Sequence, residues 1–392
     1  MRTQRWDRTI ISGLGKSQVG RRLGRTGLDL TMEASVNAIA DAGLQLSDID
    51  GISTYPGGRG PTAGVEIPEL QDALDLDLRW YMGGGETPGQ PAALVNALMA
   101  VSCGLARHVL VYKTVVEAQR QGSGGRKGVE NLRLIPGMQW AIDWLAPFGS
   151  IGVANWEAPY AQRHFFEYGT TREQLAWIPL TMRKHAALNP IALYRTPLTM
   201  DDYLSSRMIS SPLCLYDCDV PADMSTALVV SVAEHAAGMP HPPVYVDAVG
   251  MAMRDRQSWD QFEYLTSAGK DAADELWSQT DLTTADVDIA QLYDGFSIIA
   301  LLSLEALGFC GEGEGGAFVE GGERISIGGE LPMNTDGGQL SGGRSHGFGM
   351  LHESCLQIRG EAGERQVPGA EVVLAGGGSG PVATYLLFTS GR

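Results

Sequence analysis

Leu282-Thr283-Thr284-Ala285-Asp286-Val287-Asp288-Ile289-Ala290-Gln291-Leu292-Tyr293 runs out of a helical pattern and into an apolar, strand-like stretch. The same order stands early in the chain, at Leu44-Gln45-Leu46-Ser47-Asp48-Ile49-Asp50-Gly51-Ile52-Ser53-Thr54-Tyr55. Both copies read Leu-x-x-x-Asp-x-Asp before a strand, and Leu44 and Leu282, like Asp48 and Asp286, are 238 residues apart. Helical spacing over 28–43 leads into the first copy, and a helix at about 269–280 leads into the second. A helix over 91–105, opened by Pro91, then leads into the buried strand His108–Tyr112, with Cys103 read as one of its buried core thiols. A helix at about 348–361 likewise leads into the strand-like run Glu371–Gly378. The chain therefore reads as two copies of one helix-and-strand unit packed face to face. The expected division is an N-terminal half at 1–113 and 207–236, an inserted subdomain at 114–206, and a C-terminal half at 242–392, with a Pro-rich linker near Ala237–Pro243.

The 392 residues are 44% hydrophobic, enough for a large core, and carry 29 basic against 46 acidic side chains. A net charge of −17 argues against nucleic acid and anionic membranes as partners. Five scattered cysteines suit a reducing cytoplasm, and Cys214 and Cys218 have no second pair with which to hold zinc. His164, His185, His241 and His352 show no metal-ligand spacing, so no metal is expected. The N-terminus lacks the apolar core of a signal peptide, and no apolar run reaches the roughly 18 residues of a membrane span. A cytoplasmic protein is expected.

The second copy ends in Tyr293-Asp294-Gly295-Phe296-Ser297 and continues into the helical run 298–307. Polar residues at such a strand-to-helix turn stand where α/β proteins build their sites. A polar, Gly-rich stretch, Asn334–Gly347, is expected to close over it. Tyr293 can exchange a proton or donate to an oxyanion. Asp294 can orient Tyr293 or a water, or cap the helix that follows. His346 has the side chain of a proton shuttle near neutral pH, or else steadies its loop. Arg344, never a base, can hold an oxyanion, a phosphate or an internal carboxylate. Glu86 caps a helix start or touches substrate. Gly377, Gly378 and Ser379 offer backbone N–H groups. In the insertion, Arg183, Lys184 and His185 read as a solvated helix face or a phosphate contact. The aromatic residues Trp140, Trp144, Phe165 and Phe166 suit a bulky apolar group.

Several of these stretches together resemble the thiolase superfamily, and within it the sterol-carrier and lipid-transfer type. Ala42–Gly51, Arg207–Asp219, Tyr293–Ser297, Gly337–Gly347 and Ala375–Gly380 match that family's motifs in order. The resemblance implies an α/β, thiolase-like fold of two duplicated βαβαβ-type halves packed as α/β/α/β/α layers. The departures are chemical. The turn Gly83–Gln90 holds Glu86 and Thr87 where a thiolase carries its nucleophilic cysteine. Tyr293 replaces the histidine of His-Asp-Cys-Phe, and Arg344 replaces that of Gly-His-Pro. Ala375 and Gly376 replace a second cysteine.

Covalent acyl transfer is thus not expected. Enolate stabilisation remains, and it also serves retro-aldol cleavage of a β-hydroxyacyl-CoA. Thiolase-like chains of this kind resemble steroid side-chain-cleaving aldolases, which release a ketone and a short acyl-CoA such as propionyl-CoA. The resemblance implies a homodimer and a small OB-fold, zinc-ribbon accessory protein. It implies no cofactor in the chain itself, coenzyme A being part of the substrate. The alternatives are cysteine-independent acyl transfer and a non-catalytic acyl-CoA-binding subunit.

Overall fold

The computed structural model describes residues 6–55, 64–83, 91–118, 143, 145–150, 152–254, 267–378 and 382–391. Glu86, Ser379, Trp140 and Trp144 lie outside the described residues.

The two copies build two mixed sheets of matching order. In the first, β1 (Thr9–Lys16), β7 (Asp223–Val232), β4 (His108–Val116), β2 (Gly51–Thr54) and β3 (Trp80–Gly83) lie side by side in the order β1-β7-β4-β2-β3. In the second, β8 (Tyr245–Met253), β11 (Val382–Thr389), β10 (Val372–Gly377) and β9 (Ile289–Leu292) follow the same plan as β8-β11-β10-β9. β2 and β9 each run parallel to their inner neighbour, and β7 and β11 each run antiparallel on both sides. A two-stranded hairpin of β5 (Met208–Ser210) and β6 (Leu213–Cys214) stands apart.

The aspartates of the repeat explain why the pattern recurs. Asp48 Oδ2 accepts from Gln45 N at 2.8 Å, and Asp286 Oδ2 accepts from Thr283 N at 2.8 Å, each closing a short 3₁₀ turn. Two residues on, Asp50 Oδ1 accepts from the N–H groups of Arg107 and His108 at 2.8 and 2.9 Å. Asp288 Oδ2 does the same for Glu371 and Val372, at 2.8 and 2.9 Å. The first aspartate therefore stops the chain, and the second ties the new strand to the start of its parallel neighbour. Asp288→Ala leaves two strand-end donors unmet and is expected to cost about 1–2 kcal/mol. Asp50→Ala should cost a similar amount, and urea unfolding of the double variant should give close to the sum, because the sites share no partners.

Five layers result. The helices Gly27–Asp41 and Ile67–Leu74 cover the outer face of the first sheet. The helices Ala92–Ser102 and Phe348–Arg359 fill the space between the sheets, with Leu94, Leu98, Phe348, Leu351 and Cys355 in one apolar cluster. Ser267–Ser278 and Ser297–Leu307 cover the outer face of the second sheet. All eleven residues of Ser297–Leu307 are buried, which accounts for its near-continuous apolar sequence. Ile11 and Val244 exchange backbone hydrogen bonds of 2.8 and 3.3 Å and so join the two halves.

The inserted helices Val153–Tyr168 and Arg172–Ala187 pack on the second half: Tyr160, Leu175, Ile178 and Met182 share a cluster with Leu301 and Leu304. The structure corrects three sequence expectations. His185 and Arg183 do not form a solvated face. His185 is enclosed, its Nδ1 donating to Met333 O at 3.0 Å while its Nε2 accepts from Ile327 N at 3.0 Å. Phe166 turns to solvent, being 86% exposed, and Phe165 packs against the core. Cys103 is no core thiol but an exposed residue at the C-terminal cap of its helix, where the apolar face has already run out.

Among the described residues the second sheet has no counterpart of β3. Met333 makes a single parallel bridge to Ala290, and the Asn334 side chain then takes over. Its Oδ1 accepts from Leu292 N at 2.7 Å and its Nδ2 donates to Leu292 O at 2.8 Å, as a neighbouring strand would. Asn334 adopts φ +48°, the left-handed turn that asparagine tolerates, and the chain leaves the sheet edge there.

Candidate active site

The segment that leaves at Asn334 folds back over the carboxyl end of β9. It is clamped from both sides. Asn189 Nδ2 donates to Asp336 O at 2.9 Å, and Arg183 Nε donates to Ser341 Oγ at 2.9 Å. From the other side, Val220 N donates to Gln339 O at 3.0 Å, and Arg344 N donates to Val220 O at 2.8 Å. Below it, Asp294 Oδ1 accepts from Gln339 N at 2.8 Å.

Under this cover, four parts of the chain bring charged groups together: the end of β4, the segment before β7, the β9 turn and the loop. Arg344 lies 3.2 Å from Glu117 Oε1 and 3.4 Å from Asp219 Oδ2. Its Nε also donates to His346 Nε2 at 3.3 Å, and that nitrogen sits 3.4 Å from Glu117. Lys113, buried on β4, lies over the Tyr55 ring at 4.9 Å. Tyr55 and Tyr293 close the two copies of the repeat, so both carboxyl ends present a tyrosine to this cluster.

The electrostatics follow from burial. Burial, reinforced by the Asp219 charge, pushes the Tyr293 hydroxyl far above its ordinary range, so the phenol keeps its proton. Burial and the Arg344 charge hold His346 down to about 4, leaving a neutral imidazole. Burial alone would raise Glu117, but His346, Arg344 and Lys113 outweigh it and hold it at about 2. Burial raises Asp219 to about 6 despite Arg344, with Glu117 adding to the rise. Burial lowers Lys113 to about 8 against the pull of Glu117.

Tyr293, Arg344 and His346 thus come together, whereas Asp294 stands beneath them. Asp294 is fully enclosed and holds Gln339 N; it does not cap the following helix, whose N-cap is Phe296. Burial raises its carboxyl to about 7. Gly377 and Gly378 are set by close approach. A Cβ on Gly377 would come within 2.5 Å of the Tyr293 Cβ, and one on Gly378 would meet Ala383. Glu86 and Ser379 have no described position.

Lys113, Glu117, Asp219 and Gln339 were not singled out from the sequence. Glu117 and His346 are 229 residues apart, and no local pattern joins them. Gln339 is 2% exposed; its Nε2 is buried without a close hydrogen bond, and its side chain stands near enough to Tyr293 to oppose the rise of that hydroxyl. The one available signal was Asp219, which closes the motif Arg207–Asp219.

Four of the five thiols are held in the neutral form by burial. Burial pushes Cys214 and Cys218 up, and pushes Cys310 and Cys355 up to about 12. Cys103 caps the C-terminal end of its helix, away from the N–H groups that face an anion at an N-terminus. Among the described residues no group of His, Cys, Asp and Glu is arranged to hold a metal ion.

Residues 250–388 match the family described as thiolase C-terminal domain-like. A steroid side-chain-cleaving aldolase of Thermomonospora curvata is 34% identical over 96% of this chain and 97% of its own. A 17-hydroxy-3-oxo-4-pregnene-20-carboxyl-CoA lyase of Mycobacterium tuberculosis is 34% identical over 96% of this chain and 98% of its own. Among solved structures, an Ltp2-ChsH2(DUF35) aldolase superposes with a TM-score of 0.87 at 32% identity, covering 98% of both chains. By fold and by sequence along its whole length, the chain belongs to the thiolase superfamily, among the carbon–carbon lyases of its sterol-carrier-type branch.

Proposed function

We propose that this chain cleaves a β-hydroxyacyl-CoA thioester by a retro-aldol step, giving a ketone and a shorter acyl-CoA without an acyl-cysteine intermediate. The observation that carries the reading is Tyr293, a protonated phenol at the carboxyl end of β9, set among charged groups in a site with no activated thiol. Such a cleavage needs a proton acceptor at the β-hydroxyl, donors for the thioester oxygen, and a proton donor at the α-carbon. Tyr293 supplies the last. The buried Nε2 of Gln339, beside Tyr293, and the Arg344 guanidinium supply enclosed donors for the enolate oxygen. Neutral His346 steadies Arg344.

A steroid-type acyl group is the favoured substrate, by analogy with the two relatives named above. The chain is further proposed to work in the cytoplasm as a homodimer with an accessory subunit. β3 supports the dimer: it is the edge strand of the first sheet, and its Tyr81 and Met82 are 68% and 43% exposed. No helix among the described residues is long and apolar enough to cross a membrane.

The test is a product assay on the purified chain, alone and with its co-purifying partner, using a tertiary β-hydroxyacyl-CoA of steroid type and no free CoA. Mass spectrometry should find a ketone and a shortened acyl-CoA. Turnover that appears only on adding free CoA would instead establish thiolytic acyl transfer.

A further inference from the structure

We infer that Asp219 is the proton acceptor at the β-hydroxyl and that it returns this proton to Tyr293 once the carbon–carbon bond has broken. The inference rests on the cleavage proposed above and supplies its missing base.

The backbone fixes Asp219 beside Tyr293. Cys218 forms an isolated antiparallel bridge with Phe296, Asp219 N donates to Gly295 O at 3.1 Å, and Val220 N donates to Gln339 O at 3.0 Å. The residue is therefore stitched between the turn that carries Tyr293 and the loop that carries Arg344. Its side chain keeps 12% of its surface open. The other groups are committed elsewhere. Asp294 is enclosed and holds Gln339 N. Glu117, held ionised by two cations, is too weak a base. His346, held down to about 4, is a weaker base than Asp219, which shares its Arg344 contact. Lys113 lies against Tyr55. The charged and titratable groups facing Asp219 are Arg344 from the loop, Glu117 just after β4 and Tyr293 from the β9 turn, with Cys218 on its own segment. A carboxylate that titrates near 6 is ionised at neutral pH and still basic enough to accept a proton.

The step is balanced. Asp219 takes the β-hydroxyl proton, and the oxygen forms the ketone C=O as the bond between the α- and β-carbons breaks. The released electron pair passes to the α-carbon and the thioester. Tyr293 protonates the α-carbon, and the carboxylic acid of Asp219 reprotonates the phenolate. The hydroxyl proton has then replaced the lost bond, both residues are restored, and no co-reactant is required.

The experiment follows kcat/KM against pH in the complete complex. The unmodified protein should lose activity on the acid side with a midpoint near 6, because Asp219 must be ionised. Asp219→Asn should fall about 100-fold or more and lose that limb, and Asp219→Glu should recover part of the rate. Glu117→Gln removes a negative charge that raises Asp219, so its limb should move to lower pH. Ketone released by Asp219→Asn at near the unmodified rate, or an unmoved limb in Glu117→Gln, would overturn the assignment while leaving the cleavage intact. No ketone from the unmodified complex would overturn the cleavage itself and the assignment with it.

Discussion

Tyr293→Phe is expected to lower kcat by on the order of 10²–10⁴-fold while leaving KM and the unfolding midpoint close to the unmodified values. The ring stays in place because its position is set by shape: it lies over Gly295, backs onto Gly377, and its N–H donates to Gly376 O at 2.8 Å. Only the hydroxyl is lost. A loss of that size corresponds to about 3–5 kcal/mol of transition-state stabilisation, at 1.36 kcal/mol per tenfold. An aromatic ring that merely fills space could not supply it. Steady-state kinetics of ketone release, with acyl-CoA binding measured separately, decides the matter. A raised KM with unchanged kcat would assign Tyr293 to binding.

The second large effect is on stability. Glu353 is fully buried in the helix between the sheets, and its two oxygens accept from Arg365 at 2.8 and 2.9 Å. Thr335 Oγ1 donates to it at 2.9 Å, and Gln357 Nε2 at 3.2 Å. Glu353→Ala strips an arginine with 11% exposure of its two-point carboxylate partner and leaves it only the weaker pull of Asp336. Breaking such a pair costs about 3–5 kcal/mol. Out of a total of about 5–15 kcal/mol, that is a large share. Thr335 begins the loop that covers the site, so activity should fall before global unfolding. A lowered urea midpoint at unchanged slope, with kcat already reduced in dilute urea, is the expected result. An unchanged midpoint would show that Arg365 finds water instead.

The duplication was legible because its signal is local. Asp48 and Asp286 bind backbone groups three residues away, and such turns recur wherever the sequence recurs. The helix Ser297–Leu307 was legible from its apolar run, and Tyr293 from its place between strand and helix. The charged cluster was not. Lys113 and Glu117 lie beyond the strand His108–Tyr112 that the sequence shows, and the groups that set their charge arrive from the far half of the chain. Periodicity also fails at helix ends, where it gave Cys103 as core although the next turn is solvent. It fails again for the polar helix Arg172–Ala187, which buries His185 because a loop from the second half supplies its hydrogen bonds.

The shortened edge of the second sheet has an engineering consequence. Asn334 ends the sheet by imitating a strand with one amide group, so everything between it and the helix at Phe348 is held by the roof and the turn rather than by sheet pairing. Beyond Thr335, which Gln291 and Glu353 anchor, new side chains at 339, 344 and 346 are expected to alter the reaction without retuning either sheet. Where the first copy lays down a fifth strand, the second has acquired a place for chemistry to vary.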